Sequence, residues 1–234
     1  MEQPVIVFDV NETLSDLAPL AQRFADVGAD PRTARIWFGE VLRDGFALTL
    51  AGTPVPFATL AAERARALLA GSDVDGGVEH VLEGLRGLAV HRDVVPGIAA
   101  LSGAGFRLVT LTNGATATAE RLLGDAGVLP AFERLLSVEE TDAAGAWKPS
   151  PAAYRSAEHA LGLPPERLLL VAVHPWDVHG AATAGWRTAW LDRRSEPYPV
   201  SMRQPDLRAA GLVGLAEQLT AGPPPGSGDQ PAGA

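Results

Sequence analysis

Cysteine is absent from the 234-residue sequence, which excludes disulfides, thiolate nucleophiles and cysteine-ligated metals together. No apolar run approaches the roughly 18 residues that a membrane-spanning helix needs. The N-terminus also lacks a signal-peptide pattern. Positive charge is in deficit: 19 Lys and Arg against 28 Asp and Glu leave a formal net charge of −9. Nucleic acid and anionic membranes both select basic patches, so neither is an expected partner. These absences together read as a cytoplasmic protein. An anionic substrate would have to be held by local groups, because the global field opposes it.

What remains is a chain of globular composition, long enough for one α/β domain with an insertion. The stretch "VIVFD", residues 5–9, reads as a short buried strand ending in a carboxylate. From Asp16 the apolar spacing becomes helical: "DLAPLAQRFADVG", "PRTARIWFGEVLRDGFALTLAG", "FATLAAERARALLAG" and "DVDGGVEHVLEGLRGLAV" follow one another. Beyond Val94 strands and helices alternate. "GFRLVTLTNG", "FERLLSVEET", "RLLLVAVHPWD" and "RTAWLDR" read as strands, and "TATAERLLGDAGV", "SPAAYRSAEHALGL" and "VHGAATAGW" as helices between them. Alternation of this kind predicts an α/β fold with a doubly wound parallel sheet. The predicted core comprises 1–15 and 93–220, with a helical cap at 16–92 inserted after the first strand. The Pro/Gly-rich end, 221–234, is expected to be a disordered tail.

In an open parallel sheet, ligands bind beyond the carboxyl ends of the strands. Four polar groups fall at such ends: Asp9, the pair Thr112–Asn113, Lys148 in "GAWKPSP", and Asp177 in "VHPWD". Each has a bland explanation alone. An Asp after a strand caps a helix, Thr-Asn-Gly makes a turn, and a loop lysine is usually solvated. Their recurrence at successive strand ends points instead to one site. A carboxylate nucleophile, a hydroxyl and amide for an anion, a lysine and a second carboxylate form a usable set. The histidines His80, His91, His159 and His179 show no metal-ligand spacing.

In order and spacing these motifs resemble the haloacid dehalogenase-like hydrolase superfamily: "FDVNETL" the first motif, "TLTNG" the second, "WKP" the third and "VHPWD" the fourth. The resemblance implies a Rossmann-like core, a cap domain and Asp9 as a nucleophile that forms a covalent intermediate. Phosphatases of that superfamily usually carry a second Asp two residues after the nucleophile. Here Asn11 stands there, and an amide cannot donate and take back a proton. Asp177 is the only carboxylate in "HPWD", so no second one reinforces a magnesium site. The metal-free type II 2-haloacid dehalogenases are more similar, with Trp176-Asp177 and "KPSPAAY" matching, and Lys148 and Tyr154 on the subgroup's Lys and Tyr.

Carried over residue by residue, that resemblance makes Asp9 the attacker of C2 in a short 2-haloacid, with Lys148 and Asp177 assisting hydrolysis of the ester. The substrate carboxylate would rest on Thr112 and on N–H groups near Val10 and Asn11. Asn113 is the candidate halide contact. Two departures matter. The subgroup's cap Arg is replaced by Phe38, with Arg35 one helical turn earlier, and His174 replaces the usual Asn. His174 is expected to be packed and hydrogen-bonded beside the site, with Phe38 and Trp176 as pocket wall. No cofactor is expected. The alternatives are a magnesium-dependent phosphatase, with Asp9, the Asn11 carbonyl and Asp177 as ligands, and a non-catalytic binding member. The expected partner is a small anionic substrate, and a homodimer is left open.

Overall fold

Val5–Phe8 forms strand β1, and all four of its side chains are buried. A strand covered on both faces belongs in the middle of a parallel sheet, where β-branched residues pack well. The computed structural model describes residues 3–71, 75–141, 143 and 145–221. It contains β2 (Leu108–Thr112), β3 (Phe132–Ser137), β4 (Leu168–Ala172), β5 (Arg187–Leu191) and β6 (Leu207–Ala209). All pair in parallel, in the order β3-β2-β1-β4-β5-β6. The chain departs from β1 toward opposite edges, so the topological switch point lies at its carboxyl end. Asp9 is the next residue.

Helices α1 (Leu20–Asp26), α2 (Thr33–Leu50), α3 (Phe57–Leu68) and α4 (Gly77–Arg86) form a block between β1 and α5 (Val94–Gly103). The block's two connections run side by side: Ser15 bridges Val90 antiparallel, and the Asp16 N–H donates to the Ala89 carbonyl at 2.9 Å. The remaining helices are α6 (Thr116–Asp125), α7 (Pro151–Leu161), α8 (Pro175–Thr183) and α9 (Leu212–Thr220). Two apolar layers flank the sheet. Val5 and Val7 point into a layer with α7, α8 and the helical block, whereas Ile6 and Phe8 point into one with α5, α6 and α9. This is the alternation that a period of two imposes on a strand.

The joint between the block and the sheet edge is Trp147. Its ring stacks on Phe57 at 5.6 Å, its indole N–H donates to the Val55 carbonyl at 3.1 Å, and its backbone N–H donates to Thr49 Oγ1 at 3.1 Å. Gly45, in the middle of α2, makes room for it: a Cβ there would lie 2.3 Å from the indole. Helix α7 begins at Ser150, whose hydroxyl accepts from the Ala152 N–H, followed by Pro151 at the first helical position.

Three features differ from the sequence-based reading. The strand expected to run through "VHPWD" ends at Ala172, and Pro175 opens α8, so Asp177 sits in the first turn of that helix. Proline lacks the N–H a strand ladder requires but suits a helix start. Beyond β5 the chain adds β6 and α9, which the expectation of a last strand at "RTAWLDR" omitted. Helix α5 also went unassigned because it contains Pro96-Gly97. Pro96 lies in the first turn, where backbone N–H groups lack helical partners. Gly97 lets α5 approach α9, since a Cβ there would lie 2.6 Å from Leu212. Except for Ala221, the expected disordered tail lies outside the described residues. Among the described residues no helix is long and apolar enough to cross a membrane.

Candidate active site

Lys148 is the centre of the site. Its side chain is 0% exposed, and Nζ lies 2.8 Å from Asp9 Oδ1 and 2.7 Å from Asp177 Oδ2. A buried ammonium is costly unless paired, and here two carboxylates pair it. The lysine is held there by its backbone. Asn113, at the end of β2, accepts the Lys148 N–H on Oδ1 at 2.8 Å and donates from Nδ2 to the Lys148 carbonyl at 3.3 Å. The residue expected to contact halide therefore clamps the lysine's backbone. Tyr154, projecting from α7, donates to Asp177 Oδ1 at 2.7 Å.

The second oxygen of Asp9 has other partners. Thr13 Oγ1 donates to Asp9 Oδ2 at 2.7 Å and accepts the Val173 N–H at 3.1 Å. His174 Nδ1 lies 3.2 Å from the same oxygen, and its Nε2 lies 2.9 Å from Glu12 Oε2. Glu12 pairs in turn with Arg194, from the segment after β5. Its backbone is left-handed at φ +60°, an unusual conformation for a residue with a side chain. The His174 ring is stacked on Phe38 at 6.2 Å and on Trp176 at 4.9 Å, and Trp176 packs edge-on against Phe46 of α2.

These contacts divide the titration behaviour. Burial pushes the Asp9 carboxyl up, but the Lys148 ammonium and His174 outweigh it and hold the group below the usual carboxylate range. Asp177 goes the other way: burial and the nearby Asp9 charge raise it despite Lys148. Burial works against protonated His174, but its bonds to Asp9 and Glu12 prevail and raise it to about 9. Burial would lower Lys148, yet the charges of Asp177 and Asp9 raise it, and burial keeps the Tyr154 phenol well above its ordinary value. At neutral pH, Asp9 is thus an anion between two cations. Asp177 is the carboxylate more ready to accept a proton.

A cleft of about 830 Å³ lies between α1, α2 and the segments after β4 and β5, with Glu12, Arg35, Phe38, His174, Arg193 and Arg194 among its walls. Asp9, its side chain only 6% exposed, lies behind His174 from that cleft. Thr112 is buried at the end of β2, and its hydroxyl accepts the Gly114 N–H at 3.1 Å. Val10 and Asn11 follow Asp9 in the turn. Arg35 is exposed at the cleft wall. Among the described residues, no group of three or more His, Cys, Asp or Glu is arranged to hold a metal ion. The donor set fits magnesium poorly, because Asp9 and Asp177 each commit an oxygen to the same ammonium.

Sequence reasoning missed Glu12, Thr13 and Arg194. The first two lie inside "FDVNETL", where Thr13 four residues after Asp9 was the available signal. Arg194 has no local signal, because the loop after β5 shows no pattern tying it to the first turn.

The geometry defines an α/β protein with a paired, ionised aspartate at the switch point of its sheet. A family model described as haloacid dehalogenase-like hydrolase matches residues 4–185. The chain belongs to that family. It is 39% identical over 107 residues to haloacetate dehalogenase H-2 of Moraxella sp. (strain B), a match spanning 46% of each chain. With the (S)-2-haloacid dehalogenase of Pseudomonas sp. (strain YL) it shares 28% identity over 217 residues, 91% of this chain and 92% of the other. The structure of L-2-haloacid dehalogenase from Xanthobacter autotrophicus with chloropropionic acid covalently bound superimposes with a TM-score of 0.84. That likeness covers 94% of this chain and 99% of the other at 22% identity, and bears on the fold.

Proposed function

We propose that this chain hydrolyses the carbon–halogen bond of short 2-haloacids through an ester on Asp9. The observation that carries the reading is a buried carboxylate held ionised by Lys148, with a second, more basic carboxylate on the same ammonium. Relatives named as 2-haloacid dehalogenases along nearly the whole chain support it.

An Asp9 oxygen attacks C2, and the C–X pair leaves with the halogen as halide. Water then adds to the Asp9 carboxyl carbon, and Asp177 takes its proton. Lys148 offsets the charge that develops on the ester oxygen as the carbon becomes tetrahedral. Collapse breaks the bond between the carboxyl carbon and the C2 oxygen, which takes the proton held by Asp177. The second water proton passes to solvent as the Asp9 carboxylate re-forms and the 2-hydroxyacid leaves. Tyr154 keeps Asp177 aimed by donating to its far oxygen. The substrate carboxylate rests on the Thr112 hydroxyl and on N–H groups of the turn at Val10 and Asn11, an anion nest suited to an acidic protein. Phe38 and Trp176 supply apolar wall, and the block at 16–92 acts as the cap.

The test is halide release from both enantiomers of 2-chloro- and 2-bromopropionate, with and without EDTA. Release that survives chelation and vanishes in Asp9→Asn is the expected result. No release from any short haloacid overturns the reading. Activity lost to EDTA and restored by magnesium, with phosphate released from an aryl phosphate, would replace it with a phosphatase.

A further inference from the structure

Beyond the buried Lys148, the cation in contact with Asp9 is His174, and it stands between Asp9 and the cleft. Each ring nitrogen faces a carboxylate oxygen, so both N–H groups of an imidazolium have a partner. The ring lies nearly parallel to those of Phe38 and Trp176, and this packing resists its turning about the Cβ–Cγ bond. Glu12, fixed by Arg194, anchors the Nε2 end.

The charges form a closed set. Asp9, Asp177 and Glu12 are balanced by Lys148, His174 and Arg194, three against three. Ester formation breaks that balance locally. When the Asp9 oxygen bonds to C2, its negative charge moves to the departing halogen. The partner of His174 Nδ1 then becomes a neutral ester, while a new anion appears one small molecule away.

We propose that His174 is a catalytic residue that transfers its Nδ1–H hydrogen bond from Asp9 to the departing halide and passes that halide to the cleft. The proposal rests on the haloacid reading above and deepens it. One bond forms, Asp9 oxygen to C2, and one breaks, C2 to halogen. The electron pair of the broken bond stays on the halide, and no proton moves. The hydrogen bond of the Nδ1–H passes from the oxygen that lost charge to the atom that gained it, while Glu12 holds the ring's other end. Ester hydrolysis restores the Asp9 carboxylate, which recaptures the N–H and expels the halide past Arg193 and Arg194. Phe38, apolar and stacked on the ring, offers no competing donor on that side.

Two measurements test this. Asp9→Asn carries a neutral side chain, as the ester does, and so should free the Nδ1–H for halide. Chloride should give a saturable change in tryptophan fluorescence, because Trp176 lies against His174, with sulfate at matched ionic strength as control. The same titration of Asp9→Asn/His174→Gln should show no saturable response. A response equal in both proteins, or in neither, overturns the proposal.

In the second measurement, His174→Gln should lower turnover of 2-chloropropionate by about 10²–10³-fold, the usual effect of removing one donor to developing charge. 2-Bromopropionate, with its better leaving group, should lose less. An unchanged chloride-to-bromide rate ratio overturns the proposal even if both rates fall. Should the wild type turn over no haloacid, the proposed function fails on its own, and the chloride titration still decides whether His174 holds a halide.

Discussion

Asp9 divides the site into two regions built on different terms. On one side Lys148 and Asp177 have fully buried side chains, and Tyr154 completes their hydrogen bonds. On the other, exposure rises from 11% at His174 to 18% at Glu12 and 49% at Arg194, where the chain of charges meets the cleft. Both regions hold the same carboxylate ionised. The buried side uses a charge shielded from water, whereas the cleft side uses one that titrates and borders the cleft. In the proposed reaction the buried side fixes Asp9 for attack, and the cleft side is where the charged product leaves.

The largest expected effect lies on the buried side. Lys148→Ala leaves Asp9 and Asp177 without their shared cation, and breaking a buried pair typically costs about 3–5 kcal/mol. Urea denaturation should show that loss, and halide release should fall below detection. A variant as stable as wild type would show that the buried network does not hold the strand ends together. Asp177→Asn preserves shape and sharpens the same point. It should release about one halide per chain and stop, leaving an ester on Asp9 that intact-protein mass spectrometry detects. Steady release would remove Asp177 from the hydrolytic step.

The cleft side predicts a pH dependence. The folded His174 value, about 9, stands above the ordinary 6.5. Its contribution to stability is therefore complete below about pH 6.5 and lost as pH rises through 9. Activity should fall along the same alkaline limb, while His174→Gln should lack it. The groups that set the limb are Asp9 and Glu12 on the ring nitrogens, Arg194 behind Glu12 and Lys148 behind Asp9; Phe38 and Trp176 on its faces are uncharged. Asp9 has the opposite sign: its lowered value contributes stability above about pH 3.8 that is lost only in stronger acid. A wild-type profile flat from pH 7 to 10 would contradict the assigned charge of His174.

The smallest effect is expected from Arg35. It is exposed at the cleft wall, where water and salt screen its charge. Arg35→Ala should change kcat/KM by less than about twofold. A larger loss would mean that Arg35, rather than His174, supplies the cation missing at Phe38.

Much of this was legible in the sequence because it is local. Buried strands and the polar turns after them are properties of neighbouring residues, so the parallel sheet could be read from them. Asp9, Lys148 and Asp177 were named from that placement and from four short motifs; Lys148, expected at a strand end, lies instead in the connection between Ser137, the last residue of β3, and α7. The end of the strand before "HPWD" was placed too late because β4 is apolar throughout and Pro175, which opens α8, follows closely on its last residue, Ala172. Strand β6, at three residues, is too short to show a period. Helix α5 was hidden by a Pro-Gly pair whose use becomes apparent only against Leu212.

The sequence by itself determined which chemical groups were available and that strand ends would gather them. Tertiary structure alone decided how those groups are charged. Lys148 meets Asp9 across 139 residues, and Glu12 meets Arg194 across 182. The ionisation of His174 depends on both ends of that arrangement. Electrostatic energy depends on distance in space and on exclusion of water, and neither quantity is a property of sequence separation.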